Sequence, residues 1–345
     1  MSLALDRTED LAARWRHLRA EAPRLRIRDA ALHLGASEAA LVATIPGVGR
    51  LRPDWAALLH GLTHAGPVMA LTRNAACVHE RHGTYRDASV HGQMGLVVGE
   101  EIDLRLFLAQ WKHAFFVPAA APGSPRGSLQ FFDASGEAVH KVFATEATPE
   151  GSLARLAASL ADMQAPPLAT TQRQARAAPN PDATIDAGAL REAWRGLRDT
   201  HDFFPMLRRF KVGRQQAFRL AGMEFAQPLE PAAIARALTL AAGQALPIMV
   251  FVGNPGCIQI HTGTITRLVQ MEEWFNVLDP EFNLHLRTPA IASAWLIRKP
   301  TADGIVTSIE AFDAAGEVIV MLFGKRKPGQ VEDPAWRMLA EGIAA

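Results

Sequence analysis

One histidine and three basic residues stand out in the second half of this 345-residue sequence. His201 lies in RDTHDFF, Arg214 follows Gly213 at the start of a helical pattern, and Lys299 and Arg326 lie in RKP and GKRKPG. Neutral imidazole is a common ligand of transition metals, and isolated cations without an acidic cluster suit an anionic partner. These residue types favour an anionic, metal-containing ligand over hydrolytic chemistry.

The four residues belong to a chain that contains an internal duplication. PVMALTRNAACVHERHGT at 67–84 aligns without gaps with PIMVFVGNPGCIQIHTGT at 247–264, an offset of 180. The same offset places SLQFFDASGEAVHKVF at 128–143 on SIEAFDAAGEVIVMLF at 308–323, and farther upstream RWRHLR meets AWRGLR at an offset of 179. One offset that holds for so long indicates a tandem repeat.

The repeat predicts how the chain is organised. We expect a first repeat at 1–164, a linker rich in Pro, Ala, Thr and Gln at 165–187, and a second repeat at 188–345. Each repeat opens with helical periodicity, as in LREAWRGLRDTH and GRQQAFRLAG, and continues in Val- and Ile-rich strand patterns joined by turns such as that in FDAAGEVIV. This order predicts an α+β fold in which each half is a large antiparallel β-sheet with helices packed at one side.

Composition narrows the class of protein. A hydrophobic fraction of 49%, a charged fraction of 21% and a net charge of +1 are typical of a soluble globular protein and give no reason to expect a nucleic-acid partner. The N-terminus lacks the apolar stretch of a signal peptide, and no run approaches the roughly 18 apolar residues of a membrane span. Cys77 and Cys257 suit a reducing compartment. We therefore expect a cytoplasmic protein without membrane insertion.

The duplication serves as an internal control, because core residues should recur in both repeats whereas residues of a single site need appear only once. The candidates of the second repeat have no chemical equivalent in the first. Their counterparts at offsets of 178 to 180 are Ala22 for His201, Ala36 for Arg214, Ala119 for Lys299 and Glu146 for Arg326. The first repeat contributes a different pair, since Arg105 corresponds to His285 and His79 corresponds to Gln259.

Heme matches this set of residues. Its iron takes a neutral imidazole as proximal ligand, and its propionates pair with Arg or Lys, where each charge-assisted hydrogen bond contributes about 1.5–3 kcal/mol. Its apolar faces pack against aromatic rings, and Phe107, Phe203, Phe204 and Phe251 lie near the polar candidates in the sequence.

Each candidate also has a purely structural interpretation. His201 could cap a helix or lie on the surface. Arg105 shares one face of a period-two strand with Asp103 and Phe107, which a solvated strand face would explain. Lys299 and Arg326 could be exposed basic residues at the ends of loops.

At these residues the chain resembles the bacterial hemin-degrading factor family, the HemS and HmuS type proteins. The likeness runs through nearly the whole chain. The segments that carry it are NAACVHERHGTY, IDLRLFLAQW, SLQFFDASGEAVHKVF, WRGLRDTHDFFPMLRRF, GRQQAFRL, LPIMVFVGNPGCIQIHTG, NVLDPEFNLHLR, RKPTADGIVTSIEAFDAAGE and FGKRKPG. The resemblance implies a pair of similar α+β halves, with heme in a cleft beside the second half.

The resemblance also implies roles for single residues. His201 would be the proximal iron ligand, Arg105 would reach the distal side, and Phe107 and Phe251 would wall the heme. Arg214 would neutralise a propionate or close the rim of the cleft, and the same holds for Lys299 and Arg326. His79 would make a second heme contact. The sequence departs from several relatives in having Met321 and Phe323, where a glutamine and a tyrosine can occur. A distal hydrogen bond from that tyrosine would be missing.

Two functions follow from the resemblance. The chain could be an enzyme of heme uptake and iron acquisition that opens the macrocycle oxidatively and releases iron, with Arg105 donating a hydrogen bond where negative charge develops. Alternatively it could be a carrier that delivers heme to a separate heme oxygenase, or that receives heme from the uptake transporter. The sequence does not decide between the two, and it predicts no oligomeric state.

Overall fold

The computed structural model describes residues 2–121, 123–172, 179–327 and 329–345. The chain divides into two compact units, each built mainly from one repeat. Unit 1 comprises Met1–Arg73, His79–Gln174 and Gly253–Gln259, and unit 2 comprises Asn74–Val78, Ala175–Val252 and Ile260–Ala345. Residues 173–178 of the predicted linker lie outside the described residues.

The first repeat contains five α-helices and nine β-strands among its described residues. In chain order these are α1 Ser2–Glu21, α2 Ile27–Leu34, α3 Glu38–Val42, β1 Gly49–Leu51, α4 Trp55–Leu62, β2 Val68–Arg73, β3 Cys77–Gly83, β4 Ala88–His91, β5 Met94–Val98, β6 Asp103–Phe107, β7 His113–Ala121, β8 Ser124–Phe132, β9 Ala138–Ala144 and α5 Ser152–Ser159.

The second repeat has the same order of strands and begins with a cluster of short helices. Its elements are α6 Ala187–Arg195, α7 Phe203–Phe210, α8 Arg214–Ala221, β10 Ala226–Leu229, α9 Ala233–Gly243, β11 Ile248–Asn254, β12 Cys257–Gly263, β13 Leu268–Met271, β14 Trp274–Leu278, β15 Phe282–Arg287, β16 Ser293–Thr301, β17 Gly304–Phe312, β18 Val318–Gly324 and α10 Pro334–Ala344. A 3₁₀ turn at Thr200–Asp202 precedes α7.

The described strands form two nine-stranded sheets, and the strands of the two repeats have the same order of neighbours. Within the first repeat the neighbours run β1-β7-β8-β9-β2-β3 and β6-β5-β4, and within the second they run β10-β16-β17-β18-β11-β12 and β15-β14-β13. The pairs within each run whose register is resolved are antiparallel, as in β16 with β17 and β17 with β18. The predicted α+β duplication with large antiparallel sheets is confirmed.

The turns that close the hairpins repeat at the same offset. Asp313 Oδ1 accepts hydrogen bonds from the backbone N–H groups of Ala315 and Glu317, each at 2.9 Å, and Asp133 does the same in the first repeat. Gly316 supplies the positive φ of 80° that the turn requires. The hairpin predicted from FDAAGEVIV is therefore present between β17 and β18.

Each unit contains a short segment from the other repeat. In unit 1, the side-chain amide of Asn254 donates to the backbone carbonyls of Arg73 and Val139, at 2.9 and 2.8 Å. In unit 2, the side-chain amide of Asn74 donates to the carbonyl of Ile319 at 2.8 Å. The asparagines therefore tie the exchanged segments 253–259 and 74–78 into their units by hydrogen bonds to the backbone.

In unit 2, α6, α7 and α8 pack on the sheet through a compact aromatic cluster. The Trp194 ring contacts Phe203 edge-on, with centroids 4.8 Å apart, and stacks on Phe225 at 5.6 Å. Phe218 joins Phe203 to Phe312 of β17. The indole N–H of Trp194 donates to the carbonyl of residue 298 in β16 at 2.9 Å, so the helices are fixed against one strand of the sheet.

In unit 1, a polar network occupies the core where unit 2 is apolar. His140 is fully buried, and its two ring nitrogens lie 2.8 Å from the Thr72 hydroxyl and 2.6 Å from the Tyr85 hydroxyl. Burial lowers the pKa of His140 to about 3, so the ring is neutral. At the offset of 180 the three counterparts are aliphatic: Val252, Ile265 and Val320.

A membrane-spanning helix is not found within the described ranges, since none of their helices has the necessary length and hydropathy.

Candidate functional site

His201 lies on the exposed 3₁₀ turn that leads into α7. Its side chain is 87% exposed. The turn is held at its N-terminal side. Asp199 caps it by accepting from the backbone N–H of His201, and the chain just before it is bonded to the residue after β16, since Ala302 N–H donates to the carbonyl of Arg198 at 2.8 Å. An exposed imidazole on a braced turn is the geometry of an accessible ligand.

The orientation of the imidazole is set by Asp199. The same oxygen, Oδ1, lies 2.6 Å from His201 Nδ1 and 2.8 Å from the backbone nitrogen of His201. These hydrogen bonds, the backbone one first, lower the pKa of Asp199, and the charge of Arg326 lowers it further. Nε2 of the ring has no hydrogen-bonding partner in the described part of the chain.

Arg214 and Lys299 meet at one buried carboxylate. The Arg214 guanidinium donates to both oxygens of Glu310 at 2.7 Å, and Lys299 Nζ donates to Oε1 at 3.4 Å. The Ser308 hydroxyl donates to the same Oε1 at 3.0 Å. Glu310 and Lys299 lie on neighbouring strands β17 and β16, whereas Arg214 opens α8. The cluster therefore joins the helices of unit 2 to its sheet.

The distances explain how the negative charge of Glu310 is shared between Arg214 and Lys299. Burial alone would raise the pKa of Glu310, but Arg214 and then Lys299 lower it to about 2. Burial lowers the pKa of Lys299 to about 8, and the attraction of Glu310 only partly offsets this. Since the carboxylate lies closer to Arg214 than to Lys299, most of its charge is matched by the guanidinium, and Lys299 keeps an incompletely compensated ammonium.

Aromatic rings surround these cations. Phe203, two residues after the histidine, lies 5.1 Å from the Arg214 guanidinium carbon and 4.6 Å from Lys299 Nζ. Lys299 also lies 5.8 Å from the ring of Phe323, which in turn lies 4.9 Å from Phe251. A continuous series of contacts thus runs from α7 to β18 and β11 and combines positive charge with apolar ring faces.

Arg326 completes the polar residues of unit 2. It follows β18, and its charge acts on the carboxylate of Asp199. Its Nη1 is buried, with no hydrogen-bonding partner among the described residues. A guanidinium nitrogen withdrawn from water, and without an acceptor among the described residues, favours an anionic ligand.

The other three predicted residues lie in unit 1. Arg105 and Phe107 share one face of β6 with Asp103, as the alternation predicts, and Arg105 forms an ion pair with Asp103. Burial raises the pKa of Asp103 although Arg105 opposes the shift. His79 is fully buried on β3. The roles of these three residues at a heme stay predictions.

The sequence predicted isolated cations, and for Arg214 and Lys299 this is wrong, since both bond to Glu310. Glu310 lies 96 and 11 residues away from them in sequence, so only the fold brings the three together. Lys299 is also not an exposed loop residue, since it lies within β16 with a side chain 5% exposed. Asp199 was overlooked as well, although its position two residues before His201 was a usable signal.

Comparison with known proteins places the chain in a family. The family model of the haemin-degrading HemS/ChuX domain matches residues 35–160 and again 211–343, once in each repeat. The hemin transport protein HemS of Yersinia enterocolitica is 39% identical over 322 residues, covering 92% of this chain and 93% of that protein. The hemin transport protein HmuS of Yersinia pestis is 40% identical over 325 residues, with the same coverage.

Solved structures agree with the sequence comparison. The holo form of PhuS, a heme-binding protein from Pseudomonas aeruginosa, has a TM-score of 0.94 and 52% identity, covering 97% of this chain and 98% of that one. ChuS, described as an E. coli heme oxygenase, has a TM-score of 0.87 and 36% identity. The match covers 97% of this chain and 100% of the ChuS chain. The two family-domain matches and the near-complete likeness to these proteins show that the chain belongs to the haemin-degrading HemS/ChuX family.

Proposed function

We propose that this protein binds heme through His201 in bacterial heme uptake and degrades it oxidatively, which releases the iron. The observation that carries the proposal is the exposed His201 ring, with Nδ1 bonded to Asp199 and Nε2 directed away from that bond. It lies on the same unit as a cluster of cations and aromatic rings. The named relatives transport, bind or oxidise heme, and the family description is haemin degradation.

The residues of unit 2 fit heme as a substrate. A single imidazole suits an iron that already has four porphyrin nitrogens. The unpaired Nη1 of Arg326 and the incompletely compensated ammonium of Lys299 suit the propionates, and the rings of Phe251 and Phe323 suit the apolar faces of the macrocycle. The guanidinium of Arg214 is bonded to both oxygens of Glu310, so the part of Arg214 in this proposal is to stabilise the surface.

The other proposed heme-contacting residues, Arg105, Phe107 and His79, lie in unit 1. In this proposal Arg105 would donate a hydrogen bond where negative charge develops during oxidation of the heme, and Phe107, on the same face of β6, would contact the macrocycle. His79 would add a second contact from unit 1. The supporting observations are the shared face of Arg105 and Phe107 and the resemblance of IDLRLF to the family.

The second candidate function is a heme carrier, and one observation favours it. Because the His201 side chain is 87% exposed, a ligand of a receiving protein could reach an iron bound there. The partner would be a heme oxygenase on the receiving side or the uptake transporter on the donating side. We place either function in the cytoplasm, since Cys77 and Cys257 do not form a disulfide, as suits a reducing compartment.

One experiment tests both functions. Hemin is added to the purified protein, and the Soret band is followed under air with ascorbate, with catalase present to remove free peroxide. Loss of the band supports degradation, and a stable band supports the carrier. His201→Ala should weaken binding and alter the ferric spectrum, whereas the exposed control His17→Ala should not. Equal spectra of the wild type and His201→Ala would refute ligation by His201.

A further inference from the structure

We propose that Asp199 is a positioning residue for the iron ligand, whose carboxylate fixes the tautomer of His201 and strengthens electron donation from Nε2. The inference deepens the proposed function and rests on it.

The geometry supports a fixed ring. Asp199 Oδ1 accepts from both the backbone N–H and the ring Nδ1 of His201, at 2.8 and 2.6 Å. The Asp199 backbone N–H in turn donates to Asp202 Oδ2 at 3.2 Å, which closes the turn. Because one oxygen binds both the backbone and the ring of the same residue, rotation about the χ angles of His201 would break a charge-assisted hydrogen bond.

The bond also selects the tautomer. A carboxylate only accepts hydrogen bonds, so Nδ1 must carry the proton, and the lone pair of the neutral ring lies on Nε2. The neutral histidine side chain in water prefers the opposite tautomer, with the proton on Nε2, the nitrogen that would bind the iron here. Asp199 reverses this preference before any ligand arrives, so no proton has to move between the ring nitrogens when iron binds.

The duplication provides independent support. At the offset of 179, Asp199 and His201 correspond to Ala20 and Ala22, so both partners are absent from the first repeat. In the first repeat this stretch is the end of helix α1, which runs to Glu21, whereas in the second it is the turn Thr200–Asp202. The carboxylate and the imidazole therefore occur together, on a turn of the second repeat.

The hydrogen bond to Asp199 should change electron donation from the His201 ring in one direction. A carboxylate bonded to Nδ1–H gives the ring partial imidazolate character and raises its basicity toward the metal, as with the carboxylates that support other metal-bound histidines. A stronger donor favours ferric over ferrous iron. Loss of the carboxylate should therefore lower the iron–histidine stretching frequency of the ferrous complex and raise its reduction potential, and should weaken hemin binding by about 10-fold to 100-fold.

The first test uses the protein without heme. Asp199→Ser retains a side chain that caps the turn but removes the charge beside the ring, and Asp202→Ser is the matched control, since Asp202 bonds the backbone and does not touch the ring. The ¹⁵N shifts of the His201 ring nitrogens, at a pH where the ring is neutral, should report protonated Nδ1 in the wild type and in Asp202→Ser. In Asp199→Ser they should shift toward protonated Nε2. The same tautomer in all three proteins would overturn the proposal.

The second test uses the heme complex. Resonance Raman spectra of the ferrous protein should show a lower iron–histidine frequency for Asp199→Ser than for the wild type or Asp202→Ser, and Asp199→Asn, which keeps an acceptor oxygen without the charge, should lie between. Equal frequencies would refute the electronic role. Failure of the proposed function is distinguishable, because His201→Ala would then leave the hemin spectrum unchanged while the ¹⁵N shifts of the heme-free protein still reported the tautomer.

Discussion

Arg214 and Glu310 form a bidentate ion pair in unit 2, with both N···O distances at 2.7 Å. The carboxylate is completely buried, and Lys299 and Ser308 bond to it as well. At the equivalent positions of the first repeat stand Ala36 and Gln130, which carry no charge. This charged cluster thus occurs in the second repeat, whereas the first repeat buries a different ion pair, between Glu38 and Lys141.

Glu310→Gln should strongly destabilise the protein. The change leaves Arg214 and Lys299 close together without their counter-charge, and breaking a buried pair in this way costs about 3 kcal/mol or more of unfolding free energy. Urea unfolding measures the loss. Glu146→Gln is the control, because Glu146 forms an ion pair with Arg126 but is 90% exposed, so its loss should change stability by less than about 1 kcal/mol. Equal effects of the two substitutions would contradict the role of burial.

Lys299 should make the protein more stable as pH rises above neutrality. Its pKa is lowered by burial from 10.5 to about 8, so between these values the unfolded chain holds more protons than the folded one, and the free energy of unfolding increases with pH. Between pH 7.5 and pH 10 the wild type should gain about 2 kcal/mol relative to Lys299→Met. Urea midpoints at both pH values test this. The exposed control Lys112→Met should follow the wild type, and parallel pH profiles for Lys299→Met would disprove the shift.

His140 should make unit 1 sensitive to acid. Its pKa is lowered by burial from 6.5 to about 3, so within this window the unfolded chain binds the extra proton and stability falls as pH falls. Between pH 7 and pH 4.5 the wild type should lose about 2 kcal/mol more than His140→Gln, which keeps hydrogen-bonding groups but does not titrate. Chemical unfolding at the two pH values gives the comparison. The exposed control His17→Gln should retain the full loss, and a loss that persists in His140→Gln would be evidence against this origin.

Arg326 should bind a propionate rather than the macrocycle itself. Its unpaired Nη1 predicts that Arg326→Gln weakens hemin binding about tenfold, the value of one charge-assisted hydrogen bond. Hemin dimethyl ester lacks the carboxylates, so the same substitution should barely change its affinity. Absorbance titration with both ligands separates the two cases, and Lys325→Gln, at an exposed neighbouring position, is the control. A tenfold loss with the ester as well would assign Arg326 a structural role.

Arg105 should affect the reaction more than the affinity. If its guanidinium donates to the oxidant side of the heme, Arg105→Ala should leave hemin affinity within about threefold and slow Soret loss in hydrogen peroxide by about tenfold or more. Stopped-flow absorbance measures the rate, with Arg126→Ala on an exposed part of β8 as the control. An unchanged rate in Arg105→Ala would favour the carrier function.

Much of the fold could be predicted from sequence because its signals are local or periodic. The constant offset of 180 predicted the duplication, and alternation in DLRLF placed Arg105 and Phe107 on one face of β6. The exchange of 74–78 and 253–259 could not be predicted. NAACV and NPGCI are equivalent segments of the two repeats, and each satisfies the same backbone hydrogen-bonding pattern through its asparagine, so the sequence does not indicate which unit receives which segment.

The site was predictable only in part, for a related reason. His201 and the cations were found because the first repeat lacks them. Glu310 was missed because its counterpart Gln130 is also polar and nearly isosteric, so the comparison of repeats shows a modest change where the structure shows a fully buried charge. The partners of a buried carboxylate are set by strand pairing and by the position of α8, which no local pattern encodes.

The exchanged segments also constrain how the chain can fold during synthesis. The backbone carbonyl of Gly256 accepts hydrogen bonds from the backbone of Phe107 and the indole of Trp111, at 3.0 and 2.9 Å, so unit 1 needs a residue made about 150 positions later. The N-terminal unit therefore cannot complete its native contacts on the ribosome until nearly half of the second repeat has emerged. Such non-local pairing raises contact order and slows folding. Until the later residues are made, the nascent first repeat has a sheet edge without its native neighbour.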